Sequence, residues 1–320
     1  MLFRENIRIG FKKITRSRMR LVIFGKNGQL AIALKRVLFK NFDLIFLDRN
    51  ECNFLSLENI NFSLNLYKPD IVINAVAYTD VDSAENDPVA TLKINKSAVS
   101  EIAKYCAENN IIFLHYSSDY VFDGNKTGFY YEYDQCNPLN VYGYSKFAGE
   151  QAIIERFEST SQSKGKYIIV RSSWLYGDGD NFIKKILNLA YEKKELKVVC
   201  DQIGTPTCSE WLAMTTKKIL SNEYLISGIY HATPSGFIDR HSFAKLIISY
   251  ALDFGANLTL NIDSIIPVES SFHQDKAIRP KNSALSCKKL ESILSSDCDI
   301  LKIPFDTLVK SYLSKFIFNK

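Results

Sequence analysis

Apolar residues in the first half of the chain fall in short, dense runs separated by stretches of helical spacing. The runs are Arg20-Leu21-Val22-Ile23-Phe24, Leu44-Ile45-Phe46-Leu47, residues 70–77, residues 111–118 and Tyr167-Ile168-Ile169-Val170-Arg171. Each is short, rich in β-branched or aromatic residues and rarely interrupted by polar ones. That is the pattern of a strand covered on both faces. Between the runs lie a helical stretch ending near Phe39, a long one opened by Pro88 and running to about Glu108, and one that starts just after Pro138 and runs to about Phe157. Strands alternating with helices predict an α/β fold with a doubly wound parallel sheet. After about Tyr176 the spacing loosens. A helix over 181–193, a strand over 196–199, a helix over 209–221, a strand over 229–231 and an amphipathic helix over 305–318 are joined by longer connections. The expected organisation is a large domain over 19–175 and a smaller α/β domain over 176–320, interwoven with the last strands of the first.

Composition narrows the class. The chain has 320 residues, 46% hydrophobic and 23% charged, as expected of a globular protein. No apolar run reaches the ~18 residues of a membrane span, so no membrane partner is expected. The net charge of +5 is local: residues 1–18 carry six basic side chains against Glu5, and the rest balances. A basic surface for nucleic acid is therefore not expected on the fold. Residues 1–18 read as a disordered tail, a targeting segment or a stretch upstream of translation from Met19, the last being the expectation because strand residues begin at Arg20. Seven cysteines, odd in number and widely spaced, predict reduced thiols in a cytoplasmic protein, and neither they nor the four histidines form a metal-ligand spacing. His115 reads as a buried histidine with its hydrogen bonds met.

The first strand runs directly into Gly25-Lys26-Asn27-Gly28-Gln29-Leu30-Ala31 and then a helix. Strand, glycine turn and helix form the context of a Rossmann-like dinucleotide site. Gly25 can make the tight turn, Gly28 admits a pyrophosphate to the helix N-terminus, and Ala31 permits close helix packing. The second strand ends at Asp48, 20 residues past Gly28, where a carboxylate can hold the adenosine ribose. Arg49 follows and could accept a 2′-phosphate, so both NADH and NADPH fit. Ala75, Val76 and Ala77 end the third strand in small side chains that leave room for a cofactor.

Tyr142 and Lys146 stand at i and i+4, on one helical face. A phenol beside a fixed ammonium can act as an acid, protonating a substrate oxygen as hydride reaches carbon. Tyr142 is the one tyrosine of 17 with a lysine at this spacing.

Taken in order, these segments resemble an extended short-chain dehydrogenase/reductase, and more closely the dTDP-4-dehydrorhamnose reductase family. The matching stretches run nearly end to end from Met19: residues 24–30, Asn74-Ala75-Val76-Ala77-Tyr78-Thr79 with residues 81–85, His115-Tyr116-Ser117-Ser118-Asp119-Tyr120-Val121-Phe122, residues 138–143 with Ser145-Lys146, Arg171-Ser172-Ser173-Trp174-Leu175-Tyr176-Gly177, Asn181-Phe182, residues 201–207 and Arg279-Pro280-Lys281-Asn282-Ser283. The resemblance implies Tyr142 as proton donor, Lys146 on the nicotinamide ribose and favouring the phenolate, and Ser118 on the substrate oxygen. It implies cofactor contacts at Gly28, Gln29, Leu30, Asp48, Ala75, Val76, Ala77 and Tyr116, and sugar contacts at Ser118, Asp119 and Trp174. Arg279 would meet a diphosphate, although a lone arginine also reads as a solvated surface residue, and Trp174 also reads as core. Ser118 replaces the family's commoner threonine and keeps the hydroxyl. Asn53-Phe54 stands where an acidic-plus-apolar pair usually lies near the adenine. Some relatives bind Mg²⁺ at a dimer interface; no metal is expected here, and a homodimer is allowed. The implied function is NAD(P)H-dependent reduction of a nucleotide-linked 4-keto-6-deoxyhexose. The rivals are a non-catalytic regulatory subunit of the same fold and a nucleotide-sugar epimerase or dehydratase; the intact Ser118, Tyr142 and Lys146 speak against the first.

Overall fold

The computed structural model describes residues 18–272 and 276–318. Apart from Arg18, the expected basic extension lies outside them. Five strands come early in the chain: β1 (Arg20–Phe24), β2 (Asp43–Leu47), β3 (Ile71–Asn74), β4 (Ile112–Ser118) and β5 (Lys166–Ser172). With Gly228–His231 they form one six-stranded sheet in which every pair is parallel. From one edge it runs Gly228–His231, β5, β4, β3, β1, β2. The chain goes outward from β1 to β2, then returns past it to β3. The crevice between the carboxyl ends of β1 and β3 is therefore the topological switch point, where open α/β sheets bind ligands.

Successive side chains on β1 point to opposite faces. Leu21 and Ile23 join one hydrophobic core, Val22 and Phe24 the other. Gln29–Leu38, Ser209–Leu220 and Arg240–Asp253 supply apolar side chains to the first core, and Leu57–Tyr67, Ala98–Glu108 and Val141–Ser159 to the second. Both faces of the sheet are covered, which is why its strands read as unbroken apolar runs.

Three expectations change in detail. The third strand stops at Asn74, because the Asn74 side-chain oxygen accepts the Val76 N–H (2.9 Å) and turns the chain outward. The helix from Pro88 to Glu108 is continuous but contains a π-helical turn, Lys93–Ser97. The helix at Tyr142 is capped by Asn140, whose side chain accepts the Gly143 N–H at 2.7 Å, so Pro138 lies outside it. Beyond Tyr176 the small pairs are Leu196–Val199 with Ile265–Val268, Ile203–Gly204 with Ile238–Asp239, and Leu175–Tyr176 with Thr207–Cys208. The helix Arg240–Asp253, capped by Asp239, was not anticipated. No helix among the described residues is long and apolar enough to cross a membrane.

Candidate active site

The turn after β1 is shaped to admit a ligand. Gly25 has φ +103°, in the left-handed region, and a Cβ there would lie 3.0 Å from the Ala75 carbonyl. Gly25 N–H bonds Leu47 O at 2.9 Å, and Gly28 N–H bonds Gly25 O at 2.8 Å. Gly28 caps the helix Gln29–Leu38 without a side-chain hydrogen bond, so the first-turn amides remain available to an anion. Gln29 reaches across to the Asp180 carbonyl (3.1 Å), and Leu30 is buried in the core. Ala75, Val76 and Ala77 are half-buried beside the turn.

Asp48 follows β2. Its Oδ1 accepts from the N–H groups of Asn50 (2.9 Å) and Glu51 (3.1 Å), and its Oδ2 lies 4.0 Å from Lys26 Nζ. Arg49 is exposed. Asn53 accepts from Leu55 N–H, while Phe54 is core: its ring meets Phe24 edge-on at 5.2 Å. A side-chain role for Phe54 at the adenine is therefore not what the fold provides. The Tyr116 ring is likewise turned away, its hydroxyl 2.6 Å from Thr216 Oγ1. What Tyr116 brings to the crevice is its carbonyl, which accepts from Lys146 Nζ at 2.7 Å.

Ser118, Tyr142 and Lys146 come together at the carboxyl end of β4. Ser118 is its last residue, and its hydroxyl lies beside the Tyr142 phenol. Burial pushes that phenol well above its usual range, so Tyr142 holds its proton at neutral pH. The Tyr142 ring meets Tyr120 edge-on at 5.4 Å. Gly143 makes this approach possible, since a Cβ there would come within 2.2 Å of the Tyr120 carbonyl oxygen. Below, Ser145 Oγ donates to Tyr142 O (2.7 Å) and accepts from Asn95 Nδ2 (2.8 Å). Asn95 also clasps the Tyr78 backbone through both N–H and C=O. It sits in the π-helical turn, a local widening that places its buried amide against the tyrosine helix. Lys146 is 1% exposed, and burial brings its ammonium down to about 8.

On the other side of Ser118 lies Asp119, 3% exposed. Its Oδ1 accepts from Ser118 Oγ at 2.8 Å, while Oδ2 is buried and has no hydrogen-bond partner among the described residues. Burial raises this carboxyl from 3.8 to about 6. Between those two values the folded protein holds the extra proton, so Asp119 makes stability fall as pH rises through that window. Asp119→Asn is therefore expected to stabilise the ligand-free protein at neutral pH by up to about 3 kcal/mol, and by little near pH ~4. Urea denaturation at the two pH values measures this; an equal effect at both would mean that the carboxylate is not strained.

Trp174 is half-buried, unlike the fully buried Trp211. Its backbone is left-handed (φ 45°), a costly conformation for a bulky residue. Its ring stacks on Phe243, and the Arg240 guanidinium lies 3.7 Å above its centroid. Arg240 was not singled out from the sequence, yet it faces Asp119 and Tyr120, and burial pushes it down to about 10. Arg279 bonds Asp82 at 2.5 Å and also meets Tyr120. Its neighbour Ile278 accepts from Asn140 Nδ2 (2.7 Å), which ties this segment to the start of the tyrosine helix.

The glycine turn, the Asp48 carboxylate, Ser118 with Tyr142 and the buried Lys146 thus line one end of the sheet. The profile of the RmlD substrate binding domain matches residues 19–313. The dTDP-4-dehydrorhamnose reductase of Shigella flexneri is 37% identical over 281 residues, covering 85% of this chain and 91% of the relative. The spore coat polysaccharide biosynthesis protein SpsK of Bacillus subtilis is 34% identical over 275 residues, covering 85% of this chain and 90% of that protein. Among solved structures, a dTDP-4-dehydrorhamnose reductase of Clostridium acetobutylicum superposes with a TM-score of 0.84 at 31% identity, covering 93% of this chain and all of that one. The Bacillus anthracis reductase, solved in complex with NADP, gives 0.81 at 31% identity, over 95% of this chain and all of its own. The chain belongs to the dTDP-4-dehydrorhamnose reductase family.

Proposed function

We propose that this protein reduces the C4 ketone of a nucleotide-linked 4-keto-6-deoxyhexose with NADPH or NADH, taking dTDP-4-dehydro-L-rhamnose to dTDP-L-rhamnose. The observation that carries the reading is the Ser118 hydroxyl beside the Tyr142 phenol at the carboxyl end of β4, with Lys146 buried one turn further along and bonded to the Tyr116 carbonyl. The nicotinamide, when bound, supplies the hydride. Gly25, Gly28 and the uncapped first turn after them fit its pyrophosphate, and Asp48 its adenosine ribose. Ser118 aligns the ketone, and Tyr142 delivers its proton to the oxygen as negative charge develops there. The unpartnered Oδ2 of Asp119 suits a sugar hydroxyl. Arg240 and Arg279 lie close enough to feel each other's charge, a tension that a diphosphate between them would relieve. The seven free cysteines support a cytoplasmic setting.

Purified protein given dTDP-4-dehydro-L-rhamnose and NADPH is expected to oxidise one cofactor per sugar reduced and to release it. Cofactor that stays bound through purification and is recycled would instead indicate an epimerase. Both cofactors should serve, because Asp48 and Arg49 pull in opposite directions. Asp48→Ala is expected to weaken NADH roughly tenfold or more, and NADPH less, since Arg49 can hold a phosphate. Equal losses in KM for the two would take Asp48 off the ribose.

A further inference from the structure

Lys26 and Glu51 stand at the edge of the proposed adenosine-ribose site, and the reading above gives neither a role. The turn after β1 is fastened to the end of β2, because the Leu47 carbonyl accepts from the N–H groups of both Gly25 (2.9 Å) and Lys26 (3.2 Å). The Lys26 ammonium then lies 4.0 Å from Asp48 Oδ2. The two oxygens of Asp48 differ. Oδ1 is taken by the N–H groups of Asn50 and Glu51, at 2.9 and 3.1 Å. Oδ2 accepts no hydrogen bond among the described residues, which leaves it for a ribose hydroxyl. Glu51 closes the triangle. Its Oε2 accepts the Asp48 N–H at 2.9 Å, and Lys26 Nζ donates to Oε1 and Oε2 at 3.3 and 3.2 Å. The Lys26 and Glu51 side chains are 44% and 42% exposed, and an ion pair this open to water is held weakly.

We propose that Glu51 is a built-in stand-in for the 2′-phosphate of NADPH: its carboxylate neutralises Lys26 when the ribose carries only hydroxyls, and yields Lys26 to the phosphate when there is one. The proposal rests on the cofactor part of the reading above, with Asp48 on the adenosine ribose. A 2′-phosphate stands in place of one ribose hydroxyl, so it arrives beside Asp48 Oδ2, where the Lys26 ammonium already lies. It carries more charge than a carboxylate and offers three acceptor oxygens, so it takes a weakly held lysine from Glu51. The displaced carboxylate then repels the phosphate, which keeps the preference for NADPH small. With NADH the pair stays closed, no cation is left bare, and the ribose keeps Asp48. One site thereby takes both cofactors, and Glu51 sets the ratio between them. Arg49, by contrast, is exposed and has to be ordered as the phosphate binds, whereas Lys26 is already held in place.

Dissociation constants for NADPH and NADH, read from nicotinamide fluorescence with no sugar present, test this without turnover. Lys26→Gln removes the cation and is expected to weaken NADPH about tenfold or more, while moving NADH by less than about twofold. Glu51→Gln keeps an oxygen for the Asp48 N–H and removes the competing charge. It should tighten NADPH about two- to fivefold, with NADH changed less. Rising salt should weaken NADPH more steeply than NADH in the wild type, and this difference should shrink in Lys26→Gln. Equal losses of both cofactors in Lys26→Gln would make Lys26 a brace for the turn. Unchanged NADPH binding there would leave the phosphate to Arg49. Weaker NADPH binding in Glu51→Gln would make the carboxylate a support and not a competitor. Each of these overturns the proposal, as does a wild type that binds neither cofactor. A wild type that binds both, with the variants behaving as expected, but reduces no ketosugar would sink the reductase reading and leave this one standing.

Discussion

Tyr142→Phe is expected to lower turnover by about 10²–10⁴-fold, the usual worth of a general acid. The substitution removes one oxygen and leaves the ring. The edge contact with Tyr120, the Gly143 approach and the Ser145 bond to the backbone all survive, so folding should not change. Ser118 loses one neighbour but keeps Asp119 and the Tyr120 N–H. What disappears is proton delivery, an interaction that strengthens as the alkoxide forms. The loss should therefore fall on kcat, with KM changed much less. Ser118→Ala should cost less, since it removes alignment but not the acid. Steady-state rates with thermal melts separate these outcomes. A Tyr142→Phe variant as fast as wild type would assign the acid to another group.

The largest expected effect on stability lies two turns further along the same helix. Glu150 and Arg171 form a bidentate ion pair at 0% and 1% exposure, with the Phe122 ring beside the guanidinium. Glu150→Leu would leave Arg171 charged and uncompensated in the core. Breaking such a pair from one side costs about 3–5 kcal/mol, because the remaining charge has lost its partner and cannot regain water. The double variant Glu150→Leu, Arg171→Met should recover much of that loss, since an apolar pair of similar volume carries no desolvation penalty. Urea denaturation of the three variants measures the cycle. Additive losses in the double variant would show that the two side chains do not depend on each other.

What the sequence revealed about this protein was what leaves a local trace. Two-face burial makes β1 an unbroken apolar run, and the need for a left-handed residue against Ala75 makes Gly25 visible. Tyr142 and Lys146 are readable because helical geometry fixes the i, i+4 relation. The supporting amides leave no such trace. Asn74, Asn95 and Asn140 act through partners 41, 50 and 138 residues away, at His115, Ser145 and Ile278. Only the fold brings those together. His115 was legible as a satisfied buried histidine, but that Lys146 satisfies it was not. Arg240 opens a helix that sequence periodicity did not disclose, so its position over Trp174 was unforeseen. Phe54 and Tyr116 show the converse. The family resemblance pointed to cofactor contacts at both, while the fold buries their rings in the two cores, which leaves their backbones to face the crevice.

The central claim is that hydride passes from the bound nicotinamide to sugar C4 with Tyr142 as the acid. The most direct measurement is a turnover with dTDP-4-dehydro-L-rhamnose and NADPH carrying deuterium at the transferable C4 position, followed by NMR of the sugar product. The account predicts dTDP-L-rhamnose with one deuterium at C4 and an equal amount of oxidised cofactor. A product with no deuterium at C4, or a ketosugar left unreduced while NADPH binds, would contradict it.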